Sequence, residues 1–320
     1  VTTLLTGGTG IVGNAIAHEL VRRGRRVRAL VRSVERGRGL LPDACELVAG
    51  DVTDADSVRG ALAGCDVVYH AAGLPEQWLA DEGTFDRVNL GGTQHVADAA
   101  LAAGVKLVYT STIDVFASVA GVPFDEGTIA REPKPTAYER SKQAADRYVA
   151  ELVGRGLDAV FLHPSAVYGP VPAASPGLNA FVADLARGKI PLLLPGGMPV
   201  VYAADVATGH VLAEARPAGS RYILSESYWT LVAIARAVAE ITPAKVPRVM
   251  PSLVAHGVAA AGGLIARLIG KPPLIPSGQL WFLESHARPD AVRARRELGW
   301  TPVGFRDALP ATLEYALAHA

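Results

Sequence analysis

The sequence predicts an α/β protein: a doubly wound parallel sheet with helices on both faces, followed by a smaller C-terminal lobe. Three observations lead there. Short apolar runs alternate with helical stretches through the first half of the chain, the pattern of right-handed crossovers in a parallel sheet. A glycine-rich turn, Thr6-Gly7-Gly8-Thr9-Gly10-Ile11-Val12-Gly13, follows the first apolar run and opens the first helical stretch. Beyond residue 165 the rhythm breaks: prolines crowd in at Pro164, Pro170, Pro172 and Pro176, and helices interleave with isolated strands.

The first unit runs from the strand Val1–Leu5 through this turn into a helix over Asn14–Arg23. Glycines let a backbone approach a pyrophosphate, and a helix N-terminus offers unpaired N–H groups with a favourable dipole. Gly7, Thr9, Gly10, Ile11 and Val12 are therefore candidate dinucleotide ligands. The basic run Arg22–Arg28 falls where this helix ends, where cations complement the dipole and stay hydrated. Strands two to six are expected over Val27–Arg32, Cys45–Asp51, Asp66–Ala72, Val105–Ser111 and Ala159–Pro164, with helices over Asn89–Ala103 and Ala137–Arg155 among the connections. Residues 1–165 form the expected dinucleotide-binding domain, with strands near 200–207 and 221–224 (Val200–Tyr202 and Arg221–Leu224) returning to its sheet. Residues 166–320 are mainly the substrate-binding lobe.

Half of the 320 residues are apolar, and 31 lysines and arginines balance 31 aspartates and glutamates. That neutrality gives nucleic acid no electrostatic footprint to bind. Cys45 and Cys65 are too few for a disulfide framework, and the first apolar run is too short for a signal peptide, so a cytoplasmic location is expected. Met250–Ile269 is long and mostly apolar, but His256, Arg267 and three glycines weaken it as an integral membrane span. A packed helix roofing a pocket is expected there, with peripheral membrane contact as the alternative. The eight histidines are scattered without the short spacings of a zinc site, so no metal is expected.

Tyr138-Glu139-Arg140-Ser141-Lys142 is the second chemistry-bearing element. A tyrosine and a lysine four apart on a helix project from one face. An ammonium beside a phenol favours phenolate, and such a phenol can exchange a proton with an alcohol or carbonyl oxygen.

With these motifs in order, the chain resembles an extended short-chain dehydrogenase/reductase of the NAD-dependent epimerase/dehydratase family. The carriers are the Thr6–Gly13 turn, Asp51-Val52, Ala71-Ala72-Gly73, Asn89-Leu90-Gly91-Gly92-Thr93, Thr110-Ser111-Thr112 and Tyr138/Lys142. His163–Pro170, Asp205-Val206-Ala207 and Glu297–Pro302 extend the resemblance nearly to the end. Its nearest branch is that of the dihydroflavonol reductases, 3β-hydroxysteroid dehydrogenases and hopanoid-associated epimerase-like proteins, with Thr110–Val115 closest to the steroid-dehydrogenase version of that loop. The resemblance implies a Rossmann-type fold, and a catalytic set of Thr112, Tyr138 and Lys142, with Ser111 as fallback for Thr112. It places the cofactor against Gly7, Thr9, Gly10, Ile11, Val12, Arg32, Asp51, Val52, Ala71, Ala72, Gly73 and Thr110. Tyr138, Lys142, Pro164, Ser165 and Val167 complete that set. Trp78, Thr112 and Tyr168 are the expected substrate contacts.

Departures from the family pattern narrow the chemistry. Sugar-nucleotide dehydratases carry Thr-Asp-Glu where this chain has Thr112-Ile113-Asp114, and Ile113 cannot act as an acid. The arginine and asparagine that hold sugar and diphosphate in many epimerases are replaced by His163 and Ala166, and an Arg-Asp pair by Met198-Pro199. A diphosphate needs charge-assisted donors, and the expected ones are missing. Strand two ends Val31-Arg32-Ser33, with Arg36 close behind, rather than in the acidic residue that accepts from the ribose of NAD. Arg32 pairing with a 2′-phosphate favours NADP(H); Arg32 stacking on adenine permits NAD as well.

The reading is an NADP(H)-dependent oxidoreductase for a ketone, aldehyde or secondary alcohol on a largely apolar small-molecule substrate. Walls are expected from Leu74–Leu79, Val167–Pro176 and Leu178–Leu194. A sugar epimerase using the same Tyr/Lys pair, or a non-catalytic dinucleotide sensor, are the alternatives. The resemblance also implies a homodimer through the helices at 89–103 and 137–155, where Ala97, Ala100, Ala103, Ala144, Ala145 and Tyr148 permit close packing, although the same alanines could equally face the protein's own sheet.

Overall fold

The computed structural model describes residues 1–76, 78–171 and 177–319, apart from the side chains of residues 267 and 268. Five strands build the first part of the central sheet: β1 (Thr2–Thr6), β2 (Arg26–Val31), β3 (Glu46–Ala49), β4 (Val67–His70) and β5 (Lys106–Thr110). Two more, Ala159–Pro164 and Arg221–Leu224, complete it. From the Arg221–Leu224 edge the order is Arg221–Leu224, Ala159–Pro164, β5, β4, β1, β2, β3, and every pair is parallel. The chain winds outward one way through β2 and β3, then returns past β1 to β4. This reversal opens a crevice at the C-terminal ends of β1 and β4, where doubly wound sheets bind ligands.

Parallel strands covered on both faces read as continuous apolar runs, and β4 and Ala159–Pro164 are buried throughout. On one face the helix α1 (Ile11–Arg22) lays Ala15, Ile16 and Leu20 onto the sheet and packs against the helix Ala203–Ala213. Trp300 joins the same core and donates its indole N–H to the Asp205 carbonyl at 2.8 Å. On the other face the helices Ala55–Leu62, Gly92–Ala103 and Ala137–Val153 bury Val58, Val96, Ala145 and Val149 against Leu4, Val68 and Leu107.

Four expectations are corrected by these packings. Ala97, Ala100 and Ala145, expected at a homodimer surface, are buried against the protein's own sheet, and of the expected set only Ala103 is exposed. The expected helix over Asn89–Ala103 begins as a π-turn, Asp86–Gly91, and becomes α-helical only at Gly92. A β-carbon on Gly92 would stand 2.9 Å from the Val52 side chain, so the helix is pressed against the loop after β3 at that point. Val200–Tyr202 does not return to the central sheet. Arg221–Leu224 occupies the free edge of Ala159–Pro164, so Gly197–Tyr202 pairs instead with Ala166–Tyr168 and Ser227–Thr230 in a separate three-stranded sheet. The helix Ser252–Ile269, expected to be packed, buries Ala255, Ala259 and Ala266 but leaves Leu253, Leu264 and Ile265 in solvent.

A second core lies beyond the central sheet. Tyr168, Leu178, Val182, Leu231, Ile234 and Phe305 join the helices Gly177–Ala186, Leu231–Ile241 and Phe305–Ala318 to the three-stranded sheet.

The glycine turn is the tightest junction. Gly7 has φ +75°, a left-handed conformation, and a β-carbon there would lie 2.4 Å from the Ala71 backbone. A β-carbon on Gly13 would lie 2.2 Å from the Gly7 carbonyl oxygen. Gly13→Ala should therefore force α1 away from the turn and cost about 1–3 kcal/mol. Urea unfolding checks this; an unchanged midpoint would show that the turn yields freely.

Candidate active site

The helix Ala137–Val153 begins with a capping box. Thr136 Oγ1 accepts from the Glu139 N–H at 3.1 Å, and a Glu139 carboxylate oxygen accepts from the Thr136 N–H at 3.0 Å. This fixes the first turn, so Tyr138 and Lys142 project one turn apart. Lys142 is buried, and its Nζ donates to the Thr110 carbonyl at the end of β5 at 3.0 Å. The same ammonium stands 5.1 Å from the centroid of the Tyr109 ring. Burial pulls its pKa down to about 8, against the opposing pull of Asp146 and Asp114.

Tyr138 is partly buried, with the Phe85 ring edge-on at 6.2 Å. The expectation that Lys142 lowers the phenol pKa is reversed here. Burial raises it first, and the Asp114 carboxylate raises it further, with the Thr112 hydroxyl working in the other direction. The physical reason is charge placement. The ammonium is engaged by the Thr110 carbonyl, whereas Asp114, Glu139 and Glu76 surround the phenol with negative charge. The phenol is therefore held in its protonated form at neutral pH.

The hydroxyls after β5 divide their work. Thr110 Oγ1 bonds His210 Nε2 at 2.9 Å. Ser111 donates to Asp146 at 2.6 Å, and Asp146 also accepts from Arg221 at 2.7 Å; the guanidinium lies 3.9 Å over the Phe161 ring. Ser111 is thus absorbed by a buried ion pair tying the helix to the sheet edge. Thr112 faces the site, donating to Asp114 at 2.9 Å and accepting its N–H at 3.2 Å. Burial and the Glu139 charge push the Asp114 carboxyl up to about 6.

Asn89, absent from the expected site residues, is the clip of this region. Buried in the π-turn, it accepts the Leu74 N–H at 2.7 Å, donates to the Leu74 carbonyl at 3.3 Å and donates to Ser141 at 3.0 Å. It thereby binds the loop after β4 to the helix carrying Tyr138. Its signal was its place in the Asn89–Thr93 motif. A π-turn often marks a functional site because it re-aims side chains within a helix.

Of the residues expected at the cofactor, Gly7, Ala71 and Ala72 meet at the C-terminal ends of β1 and β4. Gly10 caps α1 without a side-chain hydrogen bond, so the helix N-terminus presents its N–H groups. Gly7 lies against Ala71 and Ala72, and a β-carbon on Gly73 would stand 3.3 Å from Asn89 Oδ1. This cradle of bare backbone at a dipole's positive end fits a dinucleotide's pyrophosphate. Arg32 and Arg36 are exposed after β2, flanking Ser33, whose hydroxyl accepts the Arg36 N–H. Asp51 is turned to Thr53, while the Val52 carbonyl bonds His95 at 2.9 Å. At the other end of the crevice Pro164 and Ser165 lead into Val167, and the buried Ser165 hydroxyl has no partner among the described residues.

The expected substrate contacts are split. Trp78 is partly buried in the loop after β4. Tyr168 is fully buried between Tyr202 and Phe305, at 5.7 and 5.0 Å, and presents no surface to the cleft. Of the expected wall, Gln77 and Pro172–Pro176 lie outside the described residues, and Leu178 and Leu185 are buried in the second core. His70, His163 and His210 are internal: burial holds them neutral, at about 3, 3 and 4, and each bonds within the core.

A carboxyl raised above its unfolded value of 3.8 weakens the fold wherever it must ionise. For Asp114 that penalty is complete above about pH 6, shrinks as pH falls, and is gone by about 3.8. Asp114→Asn, which still accepts from Thr112, should stabilise the protein at pH 8 by on the order of 2 kcal/mol. The gain should vanish near pH 4. Thermal melts across that range test it, and a pH-independent difference would contradict the assigned burial.

A profile of the NAD dependent epimerase/dehydratase family matches residues 3–224. The chain is similar to Sterol demethylase protein B of Methylococcus capsulatus, 30% identical over 313 residues that cover 96% of this chain and 95% of that protein. It is also similar to the 4-hydroxy-2-methyl-3-oxo-4-farnesyl-3,4-dihydroquinoline-1-oxide ketoreductase of Stigmatella aurantiaca, 29% identical over 315 residues, 93% of this chain and 91% of that one. Among solved structures, the UDP-glucose 4-epimerase of Thermus thermophilus in complex with NAD superposes with a TM-score of 0.79 at 25% identity, covering 100% of both chains. The chain belongs to the NAD-dependent epimerase/dehydratase family and is an NAD(P)-dependent enzyme of the extended short-chain dehydrogenase/reductase type.

Proposed function

We propose that the protein is an NADP(H)-dependent oxidoreductase that interconverts a carbonyl and a secondary alcohol on a largely apolar substrate. The observation that carries this reading is the Tyr138 phenol, kept neutral by burial and by Asp114, with the Thr112 hydroxyl beside it. A neutral phenol gives its proton to the carbonyl oxygen as that oxygen becomes an alkoxide, and Thr112 orients the oxygen. When bound, the dinucleotide supplies or takes the hydride at the adjoining carbon. Lys142, held at the Thr110 carbonyl, holds the cofactor ribose and returns positive charge toward the phenol as the proton leaves.

Three features support an apolar, uncharged substrate. Asp114, Glu139 and Glu76 surround the phenol and disfavour an anion there. His163, at a position where many epimerases hold a sugar diphosphate, is buried and bonded to the Thr112 carbonyl at 3.2 Å. Met198 packs into the apolar second core. The ketoreductase relative, whose substrate carries a farnesyl chain by name, supports the same class. The structural likeness to a UDP-glucose epimerase favours sugar epimerisation as the second reading; there, an oxidised product would not accumulate and the cofactor would emerge unchanged.

Tyr138→Phe should reduce turnover by about 10²–10⁴-fold while cofactor binding holds, because only the proton donor is lost. Screening hydrophobic ketones with NADPH, following cofactor absorbance, measures it; near-normal turnover in the variant would remove Tyr138 from the mechanism.

The exposed Arg32, with Arg36 close by, supports NADP(H) over NAD(H) through a charge-assisted bond to the 2′-phosphate. Arg32→Asp should weaken NADPH by at least about tenfold relative to NADH, since such bonds contribute about 1.5–3 kcal/mol. Titration of both cofactors into parent and variant decides it, and a parent that prefers NADH would defeat the assignment.

A further inference from the structure

The helix Ser252–Ile269 is built inside out. Its inward face is alanine: Ala255 and Ala259 pack with Ile275 and Leu280, and Ala266 is buried as well. Its outward face carries the large aliphatic residues, with Leu253 85%, Leu264 66%, Ile265 55% and Ile269 59% exposed. Gly257, Ala260 and Ala261, also exposed, connect the two ends of this stripe at helical spacing. Beyond the helix, Leu274 is 88% exposed, and Trp281 is 56% exposed on the helix Ser277–Glu284, which packs against Ser252–Ile269. A helix face of exposed large aliphatic residues marks an interaction site rather than scattered exposure.

Charge identifies what the surface meets. Between Glu240 and Glu284 the chain holds Lys245, Arg248, Arg267 and Lys271 and no acidic residue, although its overall charge is zero, and the Glu284 carboxylate is taken up by Ser252 and His256 on the helix. Lys245, Arg248 and Lys271 are exposed on the segments that flank the helix in sequence. A second copy docking through the same face would bring two basic rims together, which like-charge repulsion opposes. An apolar strip with a basic rim and an exposed tryptophan matches a helix lying in the interface of an anionic bilayer. Among the described residues no helix is long and apolar enough to cross a membrane.

We propose that the outward face of Ser252–Ile269, with Leu274 and Trp281, docks the protein on anionic phospholipid surfaces. The surface is independent of the reaction assigned above. Co-sedimentation of the full chain with phosphatidylcholine vesicles, with and without phosphatidylglycerol, tests it. The parent should partition at least about tenfold more into the anionic vesicles, and less as salt is raised. The double variant Leu264→Glu/Ile269→Glu should lose that partition while its melting temperature and cofactor binding stay unchanged, because both side chains already face solvent. Lys245→Glu/Lys271→Glu should weaken partition into anionic vesicles specifically. No partition by the parent, equal binding to neutral vesicles, or binding undiminished in the Leu264/Ile269 variant would overturn the proposal. A concentration-dependent dimer in light scattering, abolished by that variant, would overturn it too and assign the face to a second copy.

Discussion

The buried ammonium of Lys142 is the constraint on which the site depends. A charge removed from water needs hydrogen bonds and counter-charge, or it gives up its proton. Here the Thr110 carbonyl and the Tyr109 ring face take the ammonium, and Asp146 and Asp114 supply opposite charge. Each of these partners is fixed by something else. Asp146 is held by Ser111 and Arg221, Asp114 by Thr112, and Thr110 by its place at the end of β5 and its bond to His210. The capping box at Thr136 and Glu139 sets where the helix begins, and so which side chain reaches the carbonyl. A one-residue slip of that helix would swing Lys142 by about 100° and away from the Thr110 carbonyl.

Much of this was legible in the sequence because it rests on local rules. The strand, glycine turn and helix at residues 2–22 follow from periodicity and the special backbone of Gly7, and the Tyr138/Lys142 pair from helical spacing. The illegible parts are those where distant segments compete for one place. The edge beside Ala159–Pro164 could be taken by either Gly197–Tyr202 or Arg221–Leu224, and local pattern does not rank two apolar strands. The inward turn of Ala97, Ala100 and Ala145 is likewise a matter of tertiary rotation, since alanine suits a core and an interface equally. The phenol's raised pKa required knowing that Asp114 lies near it, which no spacing in Thr112-Ile113-Asp114 dictates.

The π-turn at Asp86–Gly91 shows how a sequence motif and a backbone irregularity can be one device. A π-turn widens the helix and re-aims the side chains it carries. With the wider turn, the Asn89 amide closes on both Leu74 and Ser141, joining the loop after β4 to the helix of Tyr138. Asn89 itself is fully buried, so a lost partner would leave its amide unsatisfied away from water. The loop that carries Glu76 and Trp78 is therefore anchored at one end to the element that carries the phenol.

The apolar stripe on Ser252–Ile269 has a comparable connection inward. Leu194 packs both on the alanine face of that helix and on the second core, which also holds Met198, Leu283 and Phe305. Gly196, at φ +99°, brings the chain so near the helix Ser277–Glu284 that a β-carbon would stand 2.3 Å from the Leu283 carbonyl oxygen. Helices joined this closely move as a unit with the strand beneath them, because packed side chains and backbone contacts leave no slack. The outward stripe is thus mounted on the same core that buries Tyr168. The small inward alanines make the arrangement possible: they let the helix sit close to Leu194 while its bulk faces away.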